Sequence, residues 1–85
     1  MKKYKVEWNA GDGGFRLYEV LREIEELKDY DCAFVDDHGF VCVNVLAYDK
    51  DEALLKGVDQ ICDWFLNQRD RAMAVRCDIL REILK

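Results

Sequence analysis

The first residues of the chain alternate between apolar and charged side chains. Tyr4, Val6 and Trp8 are separated by lysines and a glutamate, which is the two-residue period of a strand with one buried face and one solvated face. After a glycine-rich loop, apolar residues recur at intervals of three and four from Phe15 to Lys28. That spacing, with charged residues on the opposite side, predicts an amphipathic helix. The chain is therefore expected to begin with a strand followed by a helix.

A β-hairpin is predicted in the middle of the chain. The apolar, β-branched runs "CAFV" and "FVCVNVLAY" are separated by Asp36-Asp37-His38-Gly39, and these residue types favour tight turns. A turn of two or four residues puts Cys32 and Phe34 on the same face as three alternating valines. We expect this to be the core face. Its three valines are Val41, Val43 and Val45.

The last third of the chain is predicted to be helical. Asp49 stands three residues before Glu52 and just ahead of an apolar-periodic run, which resembles a capping box with aspartate in the first position. The pattern becomes polar near residues 67–70, where Asp70 is able to cap a third helix. Because the segment has no proline or glycine at this point, one long bent helix from Asp51 to Lys85 is the alternative.

These elements predict a single α+β domain over residues 1–85. A right-handed crossover would make the first two strands parallel, and the last strand of the hairpin would insert antiparallel between them. The expected sheet has three strands in the order 1-3-2, with a β-α-β-β-α-α element order and helices mainly on one face. This is a ferredoxin-like arrangement without its fourth strand. Strand one is expected at an edge.

Composition excludes several classes of function. The 85 residues contain no serine, threonine or proline, so the chain has no hydroxyl nucleophile of the serine or threonine type and no hydroxyl for a Walker-type magnesium site. Residues 1–66 carry eight basic against fifteen acidic side chains, a charge of −7, and residues 67–85 carry five against three, a charge of +2. Nucleic acid is therefore an unfavourable partner for most of the surface. We expect a protein without catalytic activity.

The sequence patterns for membrane insertion and secretion, together with the cysteine spacing, favour a cytoplasmic location. No apolar run reaches the ~18 residues of a membrane span, and the first residues lack the apolar core of a signal peptide. The four cysteines contain no Cys-x-x-Cys pair, so we expect reduced, buried cysteines, no cofactor and no membrane partner.

Two loops carry the candidate ligand chemistry. The loop with Gly11, Asp12 and Gly13 is either an anion site or, as its missing lysine favours, a connector between the strand and the helix. The hairpin tip offers Asp36, Asp37 and His38 as ligands for a divalent cation, or these residues are solvated turn residues. We expect both loops at the same end of the sheet.

The hairpin also presents an apolar face that one layer of helices does not cover. This set consists of Val35, Phe40, Cys42, Leu46 and Tyr48. An exposed apolar face of this kind is typical of an interface, although the C-terminal segment of the same chain is an alternative cover.

Two functions follow as hypotheses. The first is a small acidic protein-binding module, acting through the apolar sheet face or the edge strand, as a homodimer or as an inhibitor of the kind that phages and mobile elements encode. The second is a protein that binds a small ligand or a divalent metal through the glycine loop and the hairpin tip.

Overall fold

The structure is a computed structural model that describes residues 1–20 and 30–84. In these residues the chain forms four strands, which are β1 (Lys2–Asn9), β2 (Gly14–Glu19), β3 (Phe34–Val35) and β4 (Val41–Ala47), followed by one helix, α1 (Lys50–Ile83). The strands make one antiparallel sheet in the order β2-β1-β4-β3. The α+β class and the antiparallel hairpin are therefore confirmed.

The predicted sheet of three strands was incomplete. The predicted order 1-3-2 corresponds to β1-β4-β3, and these strands are neighbours as expected. The additional strand β2 pairs with the free side of β1, with Val6 opposite Leu17 and Trp8 opposite Phe15. Strand one therefore lies inside the sheet and is not an edge.

β2 occupies residues that we predicted to be the start of a helix. In Gly14–Glu19 the side chains of Phe15 and Leu17 lie on one face, and those of Arg16 and Tyr18 lie on the other, which is the strand period. The six residues of β2 fit both the helical and the strand period, and their pairing with β1 favours the strand. The rest of the predicted helix, residues 21–28, lies outside the described residues.

The second hairpin has a register that differs from the predicted one. Val35 pairs with Val41 and Phe34 pairs with Cys42, so the loop between them has five residues, 36–40. A loop with an odd number of residues reverses the relation between the two strands. Phe34 is therefore on the face opposite to Val41, whereas the three valines of β4 do form the core face as predicted.

The core lies between this face of the sheet and the first half of α1. Its buried residues are Tyr4, Val6, Val41, Val43, Val45, Ala47, Ala53 and Ile61. Helix and sheet approach most closely at Gly57, where an added Cβ atom would lie 2.2 Å from a methyl carbon of Val6. Glycine is needed at this position because nothing larger than a hydrogen fits between the helix and β1.

α1 is one continuous helix, as the alternative prediction stated, and the separate third helix was wrong. At its start Asp49 Oδ1 accepts a 2.8 Å hydrogen bond from the Glu52 N–H. The Glu52 carboxylate in turn accepts from the N–H of Tyr48, the residue before the cap. The predicted capping arrangement is therefore present. Asp70 caps nothing, because the helix passes through it without a break.

Candidate functional site

Asp36 organises the turn between β3 and β4. Its Oδ1 accepts hydrogen bonds of 2.9 Å from the backbone N–H groups of His38 and Phe40, while Gly39 supplies the positive φ of +85°. The bond from Phe40 is the largest cause of a lowered pKa for the Asp36 carboxyl, because a hydrogen bond donated to the charged form favours that form. Asp36 is therefore an anion at neutral pH.

The second carboxylate oxygen of Asp36 belongs to a cluster on the sheet face opposite to α1. It lies 3.5 Å from the Cys42 Sγ and 3.8 Å from the Lys5 Nζ. Glu7 is the cross-strand partner of Cys42, so both side chains project from the same face. One possible ligand atom from each of Glu7, Asp36 and Cys42 lies within 4.8 Å of the other two. We call these three residues the polar cluster.

The polar cluster is largely shielded from water. Glu7 is 6% exposed and Cys42 is completely buried. Burial raises the pKa of the Cys42 thiol to about 11, and the negative charges of Asp36 and Glu7 act in the same direction, against the effect of Lys5. The thiol is therefore protonated at neutral pH and is not an activated nucleophile.

The structure brings only one of the three predicted metal ligands into this cluster. Asp36 is part of it, whereas Asp37 and His38 lie exposed at the turn. Glu7 and Cys42 were not predicted as ligands. The register of β1 against β4 identifies both residues, because it puts Glu7 and Cys42 side by side on the face away from the core.

The glycine-rich loop connects two strands and does not lead into a helix. The Asn9 Oδ1 accepts hydrogen bonds from the N–H groups of Gly11 and Asp12, and the N–H of Gly13 binds the Asn9 carbonyl. The Asp12 carboxylate pairs with Arg16. These backbone donors are already paired within the turn, so binding of an anion by Gly11, Asp12 and Gly13 stays a prediction that would require the turn to rearrange.

The predicted partner-binding residues do not form one continuous exposed surface in the single chain. Val35 and Tyr48 are 51% and 70% exposed, Phe40 and Leu46 are half-buried, and Cys42 is buried. Val35 pairs with Val41 and therefore lies on the α1 face, across the sheet from Cys42. Their joint use as a contact surface stays a prediction.

Three of the four cysteines are exposed, which corrects the expectation that all would be buried. Cys42 alone is buried, and the thiols of Cys32, Cys62 and Cys77 lie on the surface. Cys62 is exposed although its neighbour Ile61 is buried against the sheet, and Cys77 lies in the part of α1 where every residue is exposed, so the apolar pattern around both was mistaken for a core pattern.

The C-terminal part of α1 and its cap carry six of the fourteen large apolar residues that are exposed among the described residues. The first half of α1 reaches the sheet through aromatic rings: the Phe65 ring is 6.4 Å from that of Trp8 on β1, and Trp8 is 5.0 Å from Phe15 on β2, between ring centres. Beyond this point every residue from 69 to 84 is exposed. We call residues 69–84 the helix extension. Its large exposed apolar residues are Met73, Val75, Ile79, Leu80, Ile83 and Leu84.

The helix extension accounts for the elongated shape of the molecule. A helix of 34 residues is about 51 Å long, and the longest dimension of the molecule is 56 Å. A strand of seven residues such as β4 covers only about 23 Å. The sheet therefore covers less than half of α1.

Comparison with known proteins finds no relative. No family model, no curated protein and no solved structure matches the chain. Within the described residues, no helix is both long enough and apolar enough to span a membrane.

Proposed function

We propose that this protein is a non-enzymatic protein-binding module of the cytoplasm whose contact surface is the apolar side of the helix extension. The observation that supports the proposal is that every residue from 69 to 84 is exposed and that six of these residues are large and apolar. A contiguous apolar surface of this kind is typical of interfaces. It replaces the apolar sheet face as the favoured surface, because Cys42 on that face is buried.

The spacing of the apolar residues supports a helix-packing interface. Gly57, Ile61 and Trp64 face the sheet, and steps of three and four residues carry the same stripe onward to Val75 and Ile79. An isolated helical segment of this length is marginal in water, and helices gain most of their stability from packing of an apolar face. Contact with a partner would supply that packing.

The partner to which we commit is a second copy of this chain. Residues 1–66 carry −7 and residues 67–85 carry +2, so the extension of one copy is attracted to the body of another. In an antiparallel pair, Arg76 and Arg81 of one copy approach the half of α1 that bears Asp59 and Asp63 in the other. Such a two-fold contact uses the same surface on both subunits and closes without forming a filament.

Light scattering after size-exclusion chromatography tests this proposal. We expect a concentration-dependent mass that reaches twice the 10.0 kDa of one chain. Ile79→Glu and Leu80→Glu place a charge on the apolar side and should each abolish the dimer. Ala74→Glu, which adds the same charge on the polar side of the same exposed helix, should leave the dimer intact.

The competing outcomes are distinct. A wild-type chain that remains a monomer at all concentrations contradicts the second copy as partner. A dimer that persists in Ile79→Glu and Leu80→Glu contradicts the helix extension as the surface. Circular dichroism checks that the variants are folded, which we expect because neither side chain is buried in the single chain.

A further inference from the structure

A buried polar group on the sheet face away from α1 has no partner among the described residues. Asn44 is 5% exposed, and its Oδ1 accepts no hydrogen bond. Glu7 on the same face is 6% exposed and offers a ligand atom close to Asp36 and Cys42. An unpaired buried polar group costs about 1–3 kcal/mol, and a charged one costs more. The unpaired amide oxygen of Asn44 indicates a ligand that would pair with it.

The polar cluster has the spacing of metal ligands. With Zn–S near 2.3 Å and Zn–O near 2.1 Å, two ligands at a tetrahedral angle are about 3.6 Å apart. The Cys42 Sγ and the Asp36 Oδ2 are 3.5 Å apart, and the Glu7 ligand atom lies within 4.8 Å of both. A small rotation of the Glu7 side chain would shorten the other two distances to the same value.

Asn44 stands beside the cluster on the same strand face. It follows Cys42 by two residues on β4, and its cross-strand partner is Lys5, whose ammonium contacts Asp36. Residues two apart on a strand share a face. The buried amide oxygen is therefore available as the fourth ligand, directly or through a water molecule.

We propose that Glu7, Asp36 and Cys42 form a zinc site, with Asn44 completing the donor set. One thiolate and several oxygens suit a borderline-soft cation such as Zn²⁺ better than Mg²⁺ or Ca²⁺, which take oxygen ligands. Binding forms a Zn–S bond, and the thiol proton leaves to solvent. With the thiolate, Glu7, Asp36 and Lys5 counted, the added Zn²⁺ brings the local formal charge from −2 to zero.

Lys5 competes with the metal. Its Nζ is 3.8 Å from the Asp36 Oδ2, so it occupies the position of a cation near the oxygen that the metal would use. Removing this charge in Lys5→Gln should therefore strengthen metal binding. A weaker surface site elsewhere would not respond in this way.

Titration of the reduced, metal-free protein with Co²⁺, a spectroscopic substitute for Zn²⁺, tests the site. We expect one Co²⁺ per chain with a thiolate-to-cobalt charge-transfer band, and displacement of that band by Zn²⁺. Glu7→Gln and Cys42→Ala should weaken binding at least about 10-fold, with loss of the band in Cys42→Ala. Cys62→Ala removes an exposed thiol and should change neither.

The proposal has clear contrary results. A wild-type chain without the charge-transfer band overturns it, and so does a band that survives in Cys42→Ala. If Cys42→Ala does not fold, the Co²⁺ affinities of Lys5→Gln and Glu7→Gln test the site instead. If both variants bind Co²⁺ with the same affinity as the wild type, the zinc site is contradicted. None of these results depends on the oligomeric state, so the zinc site and the dimer fail or succeed separately.

Discussion

Gly57 shows how a single residue determines the distance between helix and sheet. The side chain of Val6 lies where a Cβ atom on Gly57 would be, with a separation of 2.2 Å to one methyl carbon. Gly57→Ala gains up to about 1 kcal/mol of helix propensity, but forcing α1 away from β1 should outweigh that gain. We expect a net loss of about 1–3 kcal/mol in the free energy of unfolding, measured by urea denaturation.

The matched control is Gly14→Ala, at the first residue of β2. A Cβ atom at Gly14 meets nothing within 4 Å, and the residue does not have a positive φ. This variant should change the free energy of unfolding by less than about 1 kcal/mol. Equal effects of the two substitutions would show that α1 does not approach β1 as closely as described.

Individual residues differ in how far their roles could be predicted from the sequence. Asp36 was predicted both as a turn residue and as a ligand, because an aspartate at the start of a tight turn has a local chemical preference. Glu7 was predicted only as an outward-facing strand residue. Its burial depends on what lies over the outer face of the sheet, and a two-residue period carries no information about that.

Among the secondary-structure elements, the start of α1 is expected to make the stability of the protein depend on pH. The Glu52 carboxylate is 3.0 Å from the Lys56 ammonium and accepts a hydrogen bond from the Tyr48 N–H. The bond to Lys56 is the largest cause of a lowered pKa for Glu52, followed by the bond from Tyr48. A lowered folded-state pKa adds stability above the unfolded value of about 4.3, and that stability is lost as the pH falls below it.

Glu52→Gln should therefore destabilise the protein at pH 7, and this effect should become smaller as the pH falls from about 5 to about 2. The measurement is the free energy of unfolding of both proteins across this range, with Asp59→Asn, an exposed position in the first half of α1, as the control. A difference between Glu52→Gln and the wild type that stays constant with pH would contradict an electrostatic contribution from the carboxylate.

Secondary structure was predictable where one period dominated and failed where two periods overlapped. β1, β4 and the cap of α1 follow from local patterns. The segment Gly14–Glu19 fits both a helix and a strand, and only its pairing with β1 decides. The turn of residues 36–40 contains the expected residue types, but its odd length, which places Phe34 opposite Cys42, is not encoded in those types alone.

At the scale of the whole molecule, the apolar pattern of α1 is longer than the surface that covers it. The segment predicted to be helical after Asp49 has core spacing on both sides of the polar residues 67–70, and the sheet covers only the first part. Sequence periodicity identifies an apolar face but not the chain against which that face packs. The extent of the helix extension is therefore a finding of the three-dimensional structure.

A chain that ends at Gln68 separates folding from association. Because residues 69–84 are exposed, their removal should leave the sheet, the core and the first half of α1 folded. At concentrations where the full-length chain is a monomer, we expect the two free energies of unfolding to agree within about 0.5 kcal/mol, while helical circular dichroism decreases. At higher concentrations only the full-length chain should dimerise and thereby gain stability by mass action. Loss of the cooperative unfolding transition in the shortened chain would instead show that the helix extension packs on its own subunit.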